Sequence, residues 1–161
     1  MGVIILKINI KLLIICIAIP LLVGGASAFI TMGAMEDFMK LEQPPLSPPA
    51  WLFPVVWTIL YTLMGISLYL IINANPPQEL LNKAIFTFSA QLLFNFFWSF
   101  WFFSLNLFYF SFAWILALWV LIILMIIDFR KISKTAAYLS IPYLLWVTFA
   151  AYLNLGVAIL N

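Results

Sequence analysis

The residues with the clearest potential for chemistry are tryptophans and carboxamides inside long apolar segments. Trp57 and Trp146 lie in the middle of two segments, and Gln91, Asn95 and Ser99 follow one another at four-residue intervals in a third. Residues four apart share one face of a helix, so the last three form a polar stripe. Such a stripe either bonds neighbouring membrane helices together or marks a site. Together with two indoles, it predicts an aromatic slot with polar anchors for a small molecule.

Other kinds of chemistry are disfavoured by what the chain lacks. Histidine is absent, and Cys16 is the only cysteine. This removes the commonest metal ligand, haem ligand and general base, so the sequence predicts no metal site. The five carboxylates lie at segment ends or in loops, which disfavours a hydrolase. The formal net charge of +2 is too small to indicate a nucleic-acid partner.

The elements that must position these residues are membrane helices. The chain is 67% hydrophobic and 7% charged, so its solvent must be largely the lipid bilayer. Runs of about 20 apolar residues cross a bilayer as helices. The predicted spans are 12–34, 51–72, 82–103, 108–127 and 136–159. The sequence therefore predicts an all-α integral membrane bundle of five transmembrane helices, forming one domain over residues 1–161.

One connection is long and stiff. Residues 35–50, the lid segment, contain Pro44, Pro45, Pro48 and Pro49. Each proline fixes its own φ and restrains the residue before it, which disfavours regular helix. We expect this segment to form a lid over the mouth of the bundle. The alternative is a simple connector capped by interfacial aromatic residues.

Loop charges predict an orientation. With five spans, every basic residue except Lys40 falls on the side of the N-terminus, including Lys7 and Lys11. The positive-inside rule predicts a multi-pass cell-membrane protein with a cytoplasmic N-terminus and with the lid segment and C-terminus outside. Ala26-Ser27-Ala28 also fits a signal-peptide cleavage site, but the apolar run continues beyond it, which favours a spanning helix.

Three segments together carry a family resemblance: residues 48–65, from Pro48 to Gly65; residues 91–99; and residues 142–154. They resemble the TspO/translocator protein family, also called the peripheral-type benzodiazepine receptor family. The resemblance implies a five-helix bundle, usually a homodimer, that binds tetrapyrroles such as protoporphyrin IX beneath its first loop. It also implies, for some bacterial members, light- and oxygen-dependent porphyrin breakdown, with tryptophans that correspond to Trp57 and Trp146.

The chain departs from the family pattern in its lid segment and at its C-terminal end. Asp37-Phe38 stands in place of a Trp-Tyr pair, and Leu46 stands in place of a tryptophan. Lid contacts are therefore expected to differ from those of the family. No basic residue follows Tyr152, so the sterol-recognition pattern of animal members is absent, which disfavours sterol binding.

The predicted function is a membrane receptor that binds protoporphyrin IX as ligand or substrate, without a separate cofactor. Light- and oxygen-dependent degradation of the porphyrin is a further activity that the resemblance implies for some members of the family. Because no histidine is available to hold iron, free-base porphyrin is favoured over haem. A transporter or exporter of porphyrins or other hydrophobic small molecules and a structural membrane scaffold are the alternatives. The candidate catalytic residues are Trp57 and Trp146. The candidate ligand-binding residues are Phe38, Trp51, Trp57, Tyr61, Gln91, Asn95, Trp98, Trp146, Phe149 and Ala150.

Overall fold

The computed structural model describes residues 8–161, so Lys7 and the charge assigned to it lie outside the described residues. The described chain is helical, and it begins at an N-cap where Asn9 Oδ1 accepts a hydrogen bond from the Leu12 amide at 3.1 Å. The α-helices are α1 (Ile10–Thr31), α2 (Met35–Phe38), α3 (Leu52–Asn73), α4 (Gln78–Ser99), α5 (Phe108–Ile132), α6 (Lys134–Leu139) and α7 (Ile141–Leu160).

Within residues 8–161, five helical stretches are long and apolar enough to cross a membrane, which confirms the predicted all-α class and number of spans. The boundaries differ from the prediction in places. The third span already begins at Gln78, and the fourth continues to Ile132. The fifth span is interrupted between α6 and α7, and Pro142 lies in the first turn of α7. A proline is tolerated there because the first amides of a helix have no intrahelical acceptor. Pro142 therefore does not bend the middle of the span.

Small residues allow α1 and α3 to approach each other closely. A Cβ atom at Gly65 would collide with the backbone of Cys16 and Ile17, and one at Gly24 would collide with the Tyr61 ring. Glycine lets two helix backbones pack without intervening side chains. The position of Tyr61 is thus fixed from the α1 side.

The lid segment is fastened to the end of α7. The Glu42 amide donates to Asn161 Oδ1 at 3.0 Å, and Asn161 Nδ2 donates to the Glu42 carbonyl at 3.1 Å. Tyr152 Oη donates to the Pro45 carbonyl at 2.8 Å. Pro44 is buried against Gly156, where any Cβ atom would collide with the proline ring.

The lid segment is not irregular throughout. Its first residues form the short helix α2, preceded by a 3-10 turn from Met32 to Ala34. The expected exclusion of helix holds from Gln43 onward, because the prolines begin only at Pro44. Leu46 adopts a φ of 68°, a left-handed conformation that is unusual for a leucine.

Candidate functional site

A cavity of about 580 Å³ lies beneath the lid segment, and we call it the lid cavity. Its walls come from α1, α3, α4 and α7, and its cover comes from the lid segment. The volume lies within the range of about 300–1,000 Å³ that is usual for small-molecule pockets. The aromatic residues that line it are Phe29, Phe38, Phe53, Trp57, Tyr61, Trp98, Phe102 and Phe103.

Trp57 is at the centre of the aromatic wall. Its ring stacks on Tyr61 with centroids 5.4 Å apart and an interplanar angle of 28°. Trp98 lies 6.5 Å away in a tilted arrangement, and Tyr143 meets the Trp57 ring edge-on at 6.3 Å. Aromatic pairs in these geometries stabilise one another beyond the effect of area burial. The indole of Trp57 is thereby held in a defined orientation.

A π-helical turn from Phe100 to Ser104 shapes the opposite wall. Phe102 and Phe103 of this turn both contact Phe38 of α2, with ring centroids 5.4 Å and 5.0 Å apart. A π-helical turn adds a residue to the helical repeat and so changes which side chains face a neighbour. Here it directs two consecutive phenylalanines toward the lid segment.

The predicted amide stripe bonds helices together behind the aromatic wall. Tyr61 Oη donates to Asn95 Oδ1 at 2.7 Å, and Asn95 Nδ2 donates to Tyr143 Oη at 3.0 Å. Tyr143 Oη in turn donates to Gln91 Oε1 at 2.8 Å. Gln91 and Asn95 are buried and do not line the lid cavity. Both ends of the Asn95 amide are therefore occupied by tyrosines, and Gln91 and Asn95 bond neighbouring helices together. Ser99, the third residue of the predicted stripe, lines the lid cavity instead.

A second polar link joins α4, α5 and α7. Trp98 Nε1 donates to Asn154 Oδ1 at 3.0 Å, and Asn154 Nδ2 donates to the Phe108 carbonyl at 2.8 Å. Asn154 is fully buried and lines the lid cavity. The link fixes the plane of the Trp98 ring, which stacks on Phe102 at 5.5 Å.

A separate opening of about 400 Å³ lies between α3 and α7, and we call it the lateral groove. Trp146 lines it together with Pro142, Leu145 and Phe149 of α7, and aliphatic residues of α3 complete it. Phe53, which lines the lid cavity, meets the Trp146 ring edge-on at 6.0 Å. The two openings are therefore adjacent at this aromatic pair.

The structure thus divides the predicted site residues into groups. Phe38, Trp57, Tyr61, Trp98 and Ala150 line the lid cavity, whereas Trp146 and Phe149 line the lateral groove.

Trp51 belongs to none of these groups. It is 65% exposed at the start of α3 and lies outside both openings, because it precedes the first turn that packs into the bundle.

Trp57 lines the lid cavity, whereas Trp146 lines the lateral groove. The two tryptophans therefore do not face one slot, contrary to the geometry predicted from the sequence.

Some residues that build the site were not among the predicted ones. Tyr143 connects the amide stripe to α7, and Asn154 orients Trp98. Both are polar groups within an apolar span, a signal that could have identified them. The contact between Gly156 and Pro44 carries no comparable signal, since it joins residues that are far apart in the sequence.

Comparison with known proteins agrees with this architecture. The TspO/MBR family matches residues 16–160. The chain is 38% identical to the tryptophan-rich protein TspO of Chlorobaculum tepidum over 150 residues, which cover 92% of this chain and 95% of the relative. It is also 38% identical to the tryptophan-rich protein TspO of Archaeoglobus fulgidus, over 95% and 99% of the two chains. A translocator protein of Ovis aries is 30% identical over 73% and 70%. The chain therefore belongs to the TspO/MBR family of membrane proteins.

Proposed function

We propose that this protein is a membrane receptor that binds a tetrapyrrole such as protoporphyrin IX in the lid cavity. The observation that supports this most is the set of aromatic rings from α1, α3, α4, the π-helical turn and the lid segment around one cavity. A flat macrocycle gains from stacking on indole and phenyl faces. Trp57, Trp98 and Phe102 offer such faces, and the ring of Trp57 is already held in place by Tyr61.

The side chains around the lid cavity favour free-base porphyrin over haem. Axial ligation of iron usually comes from histidine, cysteine thiolate, methionine or tyrosine. The chain has no histidine, and Cys16 is buried away from the cavity lining. Tyr61 is already bonded to Asn95, and the lining methionines lie on the lid side. The ligand is therefore expected to be held by stacking and not by a metal bond.

Quenching of tryptophan fluorescence by protoporphyrin IX tests the proposal. In detergent or nanodiscs the wild type is expected to show saturable quenching with a single dissociation constant. Trp51→Phe is the matched control, since Trp51 is exposed and lies outside the cavity. It should leave the dissociation constant unchanged. Quenching that rises linearly with porphyrin and never saturates would show partition into lipid or detergent and would overturn the proposal.

We further propose that bound porphyrin is degraded in the presence of light and oxygen, with Trp57 as the electron-donating or radical-quenching residue. The support is its position in the cavity wall and its stacking on Tyr61, a second oxidisable ring. Illuminated wild type should bleach porphyrin to a distinct product. Trp57→Phe should slow the bleaching measured at saturating porphyrin. Equal bleaching rates would rule out this role for Trp57.

Orientation and assembly are also proposals. We infer that the N-terminus is cytoplasmic and that the lid segment faces outside, because Lys83, Arg130, Lys131 and Lys134 lie at the end of the bundle opposite the lid segment. An impermeant maleimide should label Gln43→Cys but not Lys134→Cys in intact cells, and the reverse pattern would invert the topology. A homodimer is proposed on the family resemblance, and chemical crosslinking in native membranes should yield a band of twice the monomer mass.

A further inference from the structure

Methionines are distributed unevenly around the lid cavity. Met32, Met35 and Met39 line the cavity, and they are between 37% and 66% exposed. The other described methionines, Met64 and Met125, are each 1% exposed and do not line it. The thioethers that a reagent formed inside the cavity can reach therefore lie together on its lid side.

The backbone places these three side chains on successive turns. The Met35 amide donates to the Met32 carbonyl, and the Met39 amide donates to the Met35 carbonyl at 3.0 Å. Residues three and four apart are neighbours on the surface of a helix, with Cβ atoms about 5–6 Å apart. We call Met32, Met35 and Met39 the methionine strip.

The methionine strip is the most accessible oxidisable group of the cavity. A methionine sulfur is soft and polarisable, and it is readily oxidised to the sulfoxide. One face of the Trp57 ring is covered by Tyr61. Trp98 is buried and stacks on Phe102. The chain has no histidine, and its single cysteine is buried outside the cavity lining.

The proposed ligand can produce a suitable oxidant. An illuminated free-base porphyrin transfers its excitation energy to dioxygen and forms singlet dioxygen. Singlet dioxygen adds to one thioether sulfur as a persulfoxide, and the outer oxygen atom then passes to a second thioether. One dioxygen and two methionines give two sulfoxides, and each sulfur gives two electrons to one oxygen atom without any proton transfer. The step requires two neighbouring thioethers, which the methionine strip provides.

We propose that the methionine strip is a photo-oxidation site that consumes the singlet dioxygen formed by bound porphyrin before it reaches Trp57. This inference rests on the proposed function, since a porphyrin in the lid cavity is the source of the oxidant. The product is methionine sulfoxide, which methionine sulfoxide reductases convert back to the thioether. The modification is therefore reversible and protects the aromatic wall of the cavity.

Peptide mapping by mass spectrometry tests the location of the site. Wild type in nanodiscs is saturated with protoporphyrin IX and illuminated with sodium azide in the buffer, which quenches singlet dioxygen that escapes into water. Sulfoxides in the methionine strip should form at least about fivefold faster than oxidation products of Trp51, which is exposed outside the cavity. With rose bengal in the buffer as the sensitiser, azide should suppress oxidation at both places equally.

Equal suppression by azide in the porphyrin sample would attribute the oxidation to exposure alone and would overturn the proposal. Isotope labelling tests the chemical step separately. Under an equal mixture of ordinary dioxygen and dioxygen of the heavy isotope, the two sulfoxides of a doubly oxidised peptide should carry the same isotope. A statistical mixture of isotopes within single peptides would show that separate dioxygen molecules react, which would contradict the paired step.

A triple variant tests the protection of Trp57. Met32→Leu, Met35→Leu and Met39→Leu together remove the thioethers with little change in side-chain volume. This variant should bind protoporphyrin IX within about twofold of the wild-type affinity, and its Trp57 should be oxidised about threefold faster. Met64→Leu is the matched control, since Met64 is buried outside the cavity. An unchanged rate of Trp57 oxidation in the triple variant would show that the strip gives no protection.

The outcomes separate this inference from the proposed function. If protoporphyrin IX quenches tryptophan fluorescence saturably but the methionine strip is oxidised no faster than Trp51, the photo-oxidation site is overturned and the receptor function stands. If the quenching never saturates, the receptor function fails and the inference fails with it.

Discussion

The lid cavity and the lateral groove are two openings in one bundle, and they differ in how completely they enclose a guest. The lid cavity is bounded by four helices and covered by the lid segment, so it can contact both faces of a flat ligand. The lateral groove is bounded by α3 and α7 alone and is lined by aliphatic residues together with Pro142, Trp146 and Phe149. Enclosure matters because affinity depends on how much ligand surface leaves its solvent.

The two openings also differ in how their tryptophans are supported. Trp57 is stacked on Tyr61, whose hydroxyl is held by Asn95 in the buried amide network. Trp146 contacts Phe53 and Phe149, and its buried Nε1 has no hydrogen-bond partner in the described part of the chain. The two residues, although similar in the sequence, therefore have different surroundings, and our proposal centres ligand binding on Trp57.

The largest effect should come from filling one opening while leaving the other unchanged. Ala150→Trp places a bulky ring in the lid cavity, where Ala150 is 6% exposed, and Leu145→Trp places the same ring in the lateral groove. We expect Ala150→Trp to weaken protoporphyrin binding more than about 100-fold, a loss above 2.7 kcal/mol, and Leu145→Trp to change it less than threefold.

Both variants lie on α7 and introduce the same residue, so each is a control for the other. Size-exclusion profiles and thermal unfolding should show that both proteins fold, because overpacking alone can cost about 1–3 kcal/mol. If the groove variant lost binding and the cavity variant retained it, the assignment of the two openings would be reversed.

A smaller effect is expected from releasing the lid segment. Gly156→Val cannot accommodate Pro44 in its present position, so the fastening between the lid segment and α7 should loosen. We predict that protoporphyrin dissociates about tenfold faster, which corresponds to a loss of roughly 1.4 kcal/mol, measured by stopped-flow displacement with excess unlabelled ligand.

Gly25→Val is the matched control for the lid variant, since a Cβ atom at Gly25 meets nothing within 4 Å. The lateral groove does not depend on the lid segment, so any probe of that groove should be insensitive to Gly156→Val. An unchanged dissociation rate for Gly156→Val would show that the lid segment does not restrict ligand exit.

The smallest effect on binding is expected from the network behind the aromatic wall. Tyr143→Phe removes one bond to Gln91 and one from Asn95. Interhelical hydrogen bonds in membranes contribute about 0.6 kcal/mol each on average. We therefore predict a loss of about 1 kcal/mol in stability, measured by denaturant unfolding in micelles, with porphyrin affinity changed less than threefold.

Tyr138→Phe is the control for the network, because Tyr138 is 62% exposed and makes no hydrogen bond to a described residue through its hydroxyl. If Tyr138→Phe lost as much stability as Tyr143→Phe, the hydrogen-bond network would make no specific contribution to the stability of the protein. A loss of porphyrin binding far greater than threefold in Tyr143→Phe would instead place the network in direct contact with ligand.

The number and approximate position of the helices could be predicted from the sequence, because a bilayer demands apolar runs of a set length. The lid segment could be predicted because Pro44, Pro45, Pro48 and Pro49 restrict the backbone wherever they occur. Helical periodicity also predicts that Trp57 and Tyr61, four residues apart, share one face of α3.

The separation of Trp146 from Trp57 could not be predicted in this way. It arises from tertiary structure: α3 packs tightly against α1 at Gly65, and the interruption at Ser140 sets where α7 begins. The π-helical turn that directs Phe102 and Phe103 to Phe38 is likewise a result of tertiary packing. Periodicity within one helix contains no information on these distances between helices.

The central claim is that protoporphyrin binds in the lid cavity beside Trp57 and not in the lateral groove beside Trp146. The most direct test is the protoporphyrin dissociation constant of Trp57→Ala compared with that of Trp146→Ala in the same nanodiscs. We predict that Trp57→Ala weakens binding about 30-fold, the loss of roughly 2 kcal/mol expected for a central aromatic contact, and that Trp146→Ala weakens it less than threefold. Equal losses in both variants, or a larger loss in Trp146→Ala, would contradict this account.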